Sequence, residues 1–255
     1  RKIEGLRTIV TGASSGIGEA LALGYAEAGV ALALSGRDGP RLKAVAEACR
    51  AKGATVDVGQ IDVVDRETLA IWLTGFDDAY PVDLVIANAG ISLDIDNAAL
   101  DDFSIAHQTM AVNVGGVFNT VEPLLSRFVA RGHGQVALMS SLAGFVGLPY
   151  AASYNASKAA VRVWGESLRP VLMKKGVGVS VICPGFVVSR ITARWPFPMP
   201  FLVSAEHAAS IIRGGLARNK ARIAFPIGTK TAVWFGGLLP PSWAARVLGL
   251  SARLP

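Results

Sequence analysis

Short runs of consecutive apolar residues recur along the chain, separated by longer stretches whose apolar positions return every three or four residues. The runs LRTIVTG (6–12), VALALSG (30–36), ATVDVGQID (54–62), VDLVIANAG (82–90), GQVALMSS (134–141), GVSVICPG (178–185) and ARIAFP (221–226) predict seven strands. A helix is predicted from about Gly16 to Ala28, others over GPRLKAVAEACRAKG and DRETLAIWLTGFDDA, and another near 205–218. Strands that are apolar throughout, rather than alternating, are covered on both faces, as in a parallel sheet between helical layers. With right-handed crossovers this is a doubly wound α/β fold with a mainly parallel seven-stranded sheet. No internal repeat, low-complexity run or linker interrupts the pattern, so residues 1–255 read as one domain. The opening RKIEGLRTIVTG leads into the first strand and is too short to read as a secretory signal.

Composition adds a large core and removes several functions. Hydrophobic residues make up 51% and charged residues 17%, which excludes disorder. His107, His133, His207, Cys49 and Cys183 are scattered without metal-ligand spacing, and two lone cysteines suit a reduced, cytoplasmic compartment. The net charge of +6 comes from basic residues spread along the chain, with no block of five or six. That pattern suits a solvated surface or an anionic cofactor, not nucleic-acid binding.

Chemistry gathers at a few stretches. TIVTGASSGIGEALA places Gly12, Gly16 and Gly18 at a strand-to-helix turn, where backbone N–H groups and the helix dipole suit a pyrophosphate. The spacing is G-x-x-x-G-x-G rather than the general G-x-G-x-x-G. IANAG, MSSLAG, Tyr154-x-x-x-Lys158 and CPGFVVS follow in order. Over residues 5 to about 225 the chain thereby resembles the short-chain dehydrogenase/reductase family. The resemblance implies a Rossmann-like fold, a nicotinamide cofactor and hydride transfer to or from a carbonyl or alcohol. It implies that Gly12, Ser14, Ser15, Gly16, Ile17 and Gly18 hold the phosphates. Asp62 and Val63 would meet the adenine ring, and Asn88, Ala89 and Gly90 would pass the adenosine. Pro184, Gly185, Val187 and Ser189 would lie beside the nicotinamide, and Lys158 would hold its ribose. Ala87 departs from the family's asparagine and removes a strand-stabilising side chain.

Sites for NAD usually carry an acid after the second strand, and sites for NADP an arginine. Here Gly36 takes the acid's place and Arg37 follows, which favours NADP, with Ser15 adding a hydroxyl. NAD is the alternative, with Asp38 or backbone groups on the ribose.

Tyr154 and Lys158, four apart, share a helical face. The ammonium is expected to lower the phenol's pKa toward the working range and make Tyr154 a general acid in reduction and a base in oxidation. Ser141 is placed to donate to the substrate oxygen, with Ser140 the less well-spaced alternative. Asn113 matches the family's anchor for a proton-relay water. Pro170 is expected to kink the same helix beyond the site. Phe145, Leu148 and Phe186, with Trp195 in a lid over about 190–203, suggest an apolar substrate wall and a bulky lipophilic ketone, aldehyde or alcohol. The tail over about 227–255 is apolar but broken by Gly-Gly and Pro-Pro, short of a transmembrane span. It suits burial in a homo-dimer or homo-tetramer, cover for the pocket, or peripheral contact with a membrane surface. A cofactor-binding regulatory protein without turnover is the rival reading.

Overall fold

The computed structural model describes residues 5–92, 103–149, 151–190, 192–194, 199–237, 239–240, 242–243 and 246. All seven predicted strands form: β1 (Arg7–Thr11), β2 (Ala31–Ser35), β3 (Thr55–Gly59), β4 (Leu84–Ala87), β5 (Gly134–Met139), β6 (Val177–Pro184) and β7 (Arg222–Phe225). They pair in the order β3-β2-β1-β4-β5-β6-β7, and every pairing is parallel. The helices are α1 (Gly16–Tyr25), α2 (Gly39–Ala51), α3 (Arg66–Ala79), α4 (Phe103–Met110), α5 (Gly116–Arg131), α6 (Ala152–Met173), α7 (Ala205–Ala217) and α8 (Ile227–Gly236).

The two faces of the sheet feed separate apolar layers. Val10, Leu32, Leu34 and Ile182 pack with residues of α1, α2 and α7. Ile9, Val85, Val136 and Val179 pack with residues of α3, α5 and α6. Helix starts are set by polar caps: Asp38 Oδ1 accepts from Arg41 N at 3.1 Å, Asp65 Oδ1 from Thr68 N at 3.1 Å and Ser204 Oγ from His207 N at 3.1 Å. Helix α1 ends at Tyr25, three residues before its predicted end, because Ala26 turns extended and returns its N–H to Ala22 O. Helix α6 continues through Pro170 to Met173.

Strand order reverses between β1 and β4, which opens a crevice at the carboxyl ends of the strands. Every stretch singled out for chemistry leaves the sheet at that end. A π-helical turn, Ala111–Gly115, precedes α5 and carries Asn113. Such turns cluster at functional sites and have no signature in apolar periodicity.

Candidate active site

The glycine turn follows β1. Gly12 and Gly16 adopt left-handed backbone angles, φ 67° and 59°. A Cβ at Gly12 would lie 2.8 Å from Ala89 Cα, and one at Gly18 would lie 2.2 Å from Gly12 O. Neither position accepts a side chain without moving backbone, so the turn stays bare in front of the N-terminus of α1. Asn88 fixes it from the next strand, its Nδ2 donating to Thr11 O at 2.9 Å and Gly12 O at 3.2 Å. Thr11 Oγ1 in turn accepts from the backbone N–H groups of Asn88 and Ala89 at 3.1 and 3.3 Å. The stabilising amide that Ala87 lacks is thus supplied one residue later. Ile17 packs on the first apolar layer behind the turn, and Ser15 is the N-cap residue of α1.

At the end of β2, Gly36 is buried and a Cβ there would come within 3.2 Å of Ser14 Oγ. A carboxylate at that position would crowd Ser14. Asp38 is already engaged, capping α2 and pairing with Arg41 at 2.5 Å. Arg37 is exposed and lies 3.7 Å from Asp62 Oδ2. An exposed pair at this distance is weak, so the guanidinium is available to a stronger anion. Val63 is buried against Gly116.

The catalytic candidates converge where β5 and α6 meet. Lys158 is buried and donates from Nζ to Met139 O at 3.0 Å. Its Nζ is 5.6 Å from the Tyr154 ring centroid. A Cβ on Gly90 would lie 3.2 Å from that Nζ and 3.1 Å from Asn113 Oδ1, so glycine leaves this side of the ammonium open. Ser141 hydrogen-bonds the Tyr154 hydroxyl, donates to Pro184 O at 3.3 Å and accepts from Ala143 N at 3.1 Å. Ser140 instead donates to Lys158 O at 2.7 Å and joins strand to helix. The two adjacent serines therefore divide into one at the tyrosine and one in the scaffold.

The expected fall in the Tyr154 pKa is not found. Burial pushes the phenol up, and the hydrogen bond with Ser141 only partly offsets it. Desolvation of the phenol itself wins there, and burial acts on its neighbour too, pulling the Lys158 ammonium down to about 8.

Asn113 is fully buried and its side chain is committed. Its Oδ1 accepts from Ile91 N at 2.8 Å, and its Nδ2 donates to Ile91 O at 2.9 Å and Ser157 Oγ at 3.0 Å. Ser157 passes the link to Tyr154 O at 2.7 Å. Thr11 and Ser157 are the polar residues that sequence reasoning missed. Each adjoins a recognised motif residue, which is the only signal it gave.

After β6, Gly185 N donates to Phe225 O at 2.7 Å. Val187 is buried and bridges Val203, while Ser189 and Thr192 bond one another, with Ser189 N to Thr192 Oγ1 at 2.9 Å. A Cβ on Gly16 would lie 3.4 Å from Ser189 Cβ, so this segment returns to the glycine turn. Val188 N to Val203 O at 2.9 Å and Val203 N to Phe186 O at 3.1 Å close the neck of the lid loop. Phe145 lies between the guanidiniums of Arg162 and Arg222, 4.4 and 5.0 Å from its centroid, and packs by Leu142, Val181 and Cys183. Leu148 is half-buried, and its carbonyl accepts from Asn155 Nδ2 at 2.9 Å. Trp195 lies outside the described residues, as do lid positions 191 and 196–198 and tail positions 238, 241, 244–245 and 247–255.

A parallel sheet in this strand order, a glycine turn at its switch point and a Tyr-Lys pair beside it, the lysine buried, define a class of nucleotide-dependent oxidoreductase fold. The short chain dehydrogenase profile matches residues 7–196, and the chain belongs to that family of enzymes. An uncharacterized oxidoreductase of Myxococcus xanthus is 39% identical over 86% of each chain. Two solved structures share the fold. A short chain dehydrogenase from Mycobacterium paratuberculosis bound to NAD has TM-score 0.80 and 23% identity, covering 91% of this chain and 100% of the other. One from Sphingobium yanoikuyae in complex with NADPH has TM-score 0.79 and 24% identity, covering 98% and 96%.

Proposed function

We propose that this chain is an NADP(H)-dependent oxidoreductase acting on the carbonyl or alcohol carbon of a bulky lipophilic substrate. One observation carries the reading. A continuous line of close approaches runs from Gly12 to Ala89, then from Gly90 to Lys158, Tyr154 and Ser141. The bare glycine cradle at one end fits a dinucleotide, and the polar triad at the other fits a reacting oxygen. Bound nicotinamide supplies the hydride chemistry.

The chain's own residues do the rest. Gly12, Ser14, Ser15, Gly16, Ile17 and Gly18 offer backbone to the pyrophosphate at the start of α1. Arg37 takes the 2′-phosphate, supported by the engagement of Asp38 elsewhere and the crowding at Gly36. Asp62 and Val63 border the adenine, Asn88 to Gly90 the adenosine, and Pro184, Gly185, Val187 and Ser189 the nicotinamide. Tyr154 gives its proton to the carbonyl oxygen while Ser141 turns its hydroxyl from Pro184 O to the same oxygen. Lys158 holds the ribose and steadies the tyrosinate left behind. Any relay water at Asn113 uses the main-chain carbonyl, because the side chain is committed. NAD remains the rival cofactor, and alcohol oxidation the direction it would bring.

Leu148, Phe186 and Trp195, backed by Phe145, form the apolar substrate wall. A homo-dimer is assigned to the cleft between α5 and α6, where Phe118, Val121, Leu125, Val129, Trp164 and Leu172 line an apolar surface. The enzyme is placed in the cytoplasm, acting as a single domain. The test is NADPH consumption with apolar ketones and aldehydes against sugars and hydroxy acids of similar size. Turnover of the apolar set, absent in Tyr154→Phe, is expected; preference for the polar set would overturn the substrate class.

A further inference from the structure

The rim of the crevice carries an apolar surface that the chemistry does not use. Helix α8 begins directly after β7, at the same end of the sheet as Tyr154 and Ser141. Ile227 is 79% exposed, Phe235 62% and Trp243 64%, and Trp234, Phe201 and Leu202 are also exposed. Two contacts tie parts of this surface together. A Cβ on Gly228 would lie 2.8 Å from the Phe201 ring, and the Trp234 and Phe235 rings meet edge-on at 5.0 Å. A Cβ on Gly237 would lie 3.3 Å from the carbonyl oxygen of Phe145, the residue that ends the short turn after Ser141. The lid base and α8 thus form a continuous border of the substrate side.

Charge says what covers it. After Glu206 the chain holds Arg213, Arg218, Lys220, Arg222, Lys230, Arg246 and Arg253 and no Asp or Glu. Arg222 is paired with Glu166 and Arg213 lies over the Tyr25 ring, but Lys230, within α8, and Arg246, after it in sequence, are exposed. A two-fold contact through this face would set those cations against their own copies with no nearby carboxylate in the segment to answer them. An anionic bilayer surface answers both features: tryptophans and phenylalanines settle at the headgroup boundary while lysine and arginine meet lipid phosphates. Among the described residues no helix is long and apolar enough to cross a membrane, so the contact is peripheral.

We infer that α8 and the base of the lid dock this protein on an anionic membrane surface, with the mouth of the active site facing the lipid. The inference extends the reading of a lipophilic substrate but stands on a test that needs neither cofactor nor turnover. Purified protein is floated with phosphatidylcholine vesicles and with phosphatidylcholine–phosphatidylglycerol vesicles, and tryptophan emission is recorded. Binding to the anionic vesicles with a blue shift is expected. Trp234→Ser with Phe235→Ser should cut the bound fraction by about tenfold, and Lys230→Glu should weaken it more at low salt than at high. Circular dichroism and NADPH binding of each variant check that the fold is kept. Absence of vesicle binding, or binding unchanged in the variants, overturns the inference. So does a size-exclusion shift showing that the same variants dissociate an oligomer while vesicles bind nothing.

Discussion

Replacing Lys158 by methionine should remove from the cofactor-free protein a rise in stability with pH, while destroying its turnover. Lys158 is 3% exposed and its ammonium is pulled from 10.5 down to about 8 by burial. Keeping it charged in the folded state near neutral pH therefore opposes folding by roughly 3 kcal/mol. The sign follows from proton counting. Between about pH 8 and 10.5 the unfolded chain holds this proton and the folded chain does not, so stability rises with pH in that window. From about pH 7 to 9.5 this one group should add about 2 kcal/mol of stability to the native protein. Methionine keeps most of the buried stem but leaves Met139 O without its donor, which costs about 1–3 kcal/mol and offsets part of the relief. Cys49, Cys183 and Tyr25, all pushed up by burial, work the other way at alkaline pH because their unfolded forms lose protons first. They are common to both proteins, so the difference between the two denaturation curves isolates Lys158. Urea unfolding of native protein and Lys158→Met at about pH 7 and 9.5 is the assay. Parallel pH dependence in the two proteins would refute the assigned burial of a charged lysine.

Other expectations rest on separate features. Tyr154→Phe keeps the ring but not the proton, and should lower kcat by at least about a hundredfold while NADPH affinity changes little; steady-state kinetics and titration check both. Gly18→Ala drives a methyl to 2.2 Å from Gly12 O and should cost about 3 kcal/mol in urea unfolding, with loss of cofactor binding. Asp77 is buried; burial alone would raise its pKa, but bonds from Arg131, Val82 N and Arg127 hold it below the ordinary carboxylate value. Its contribution is present above about pH 4 and lost as pH falls through the lowered pKa, so acid unfolding of Asp77→Asn should start from about 3 kcal/mol lower stability and show a shallower pH slope.

The central strands were legible because they are runs of apolar residues buried on both faces, as ALALS of β2 is throughout, while the edge strands β3 and β7 are only partly covered. The glycine turn was legible because bare backbone at a strand-to-helix junction has few other uses. What stayed hidden depends on partners distant in sequence. Phe145 reads as a pocket wall until Arg222, far along the chain, is found stacked on it. Asn113 reads as an anchor for a relay water until Ile91 and Ser157 are seen to occupy its amide. The Tyr154 pKa was misjudged because helical spacing reports the proximity of a charge and says nothing of the desolvation that opposes it.

The most direct test is a fluorescence titration of native protein and Arg37→Ala with NADPH and NADH in parallel. Native protein should bind NADPH at least about tenfold more tightly than NADH, and Arg37→Ala should remove that preference by weakening NADPH alone. Equal or tighter binding of NADH by native protein would contradict the account and return the ribose to Asp38 or to the backbone.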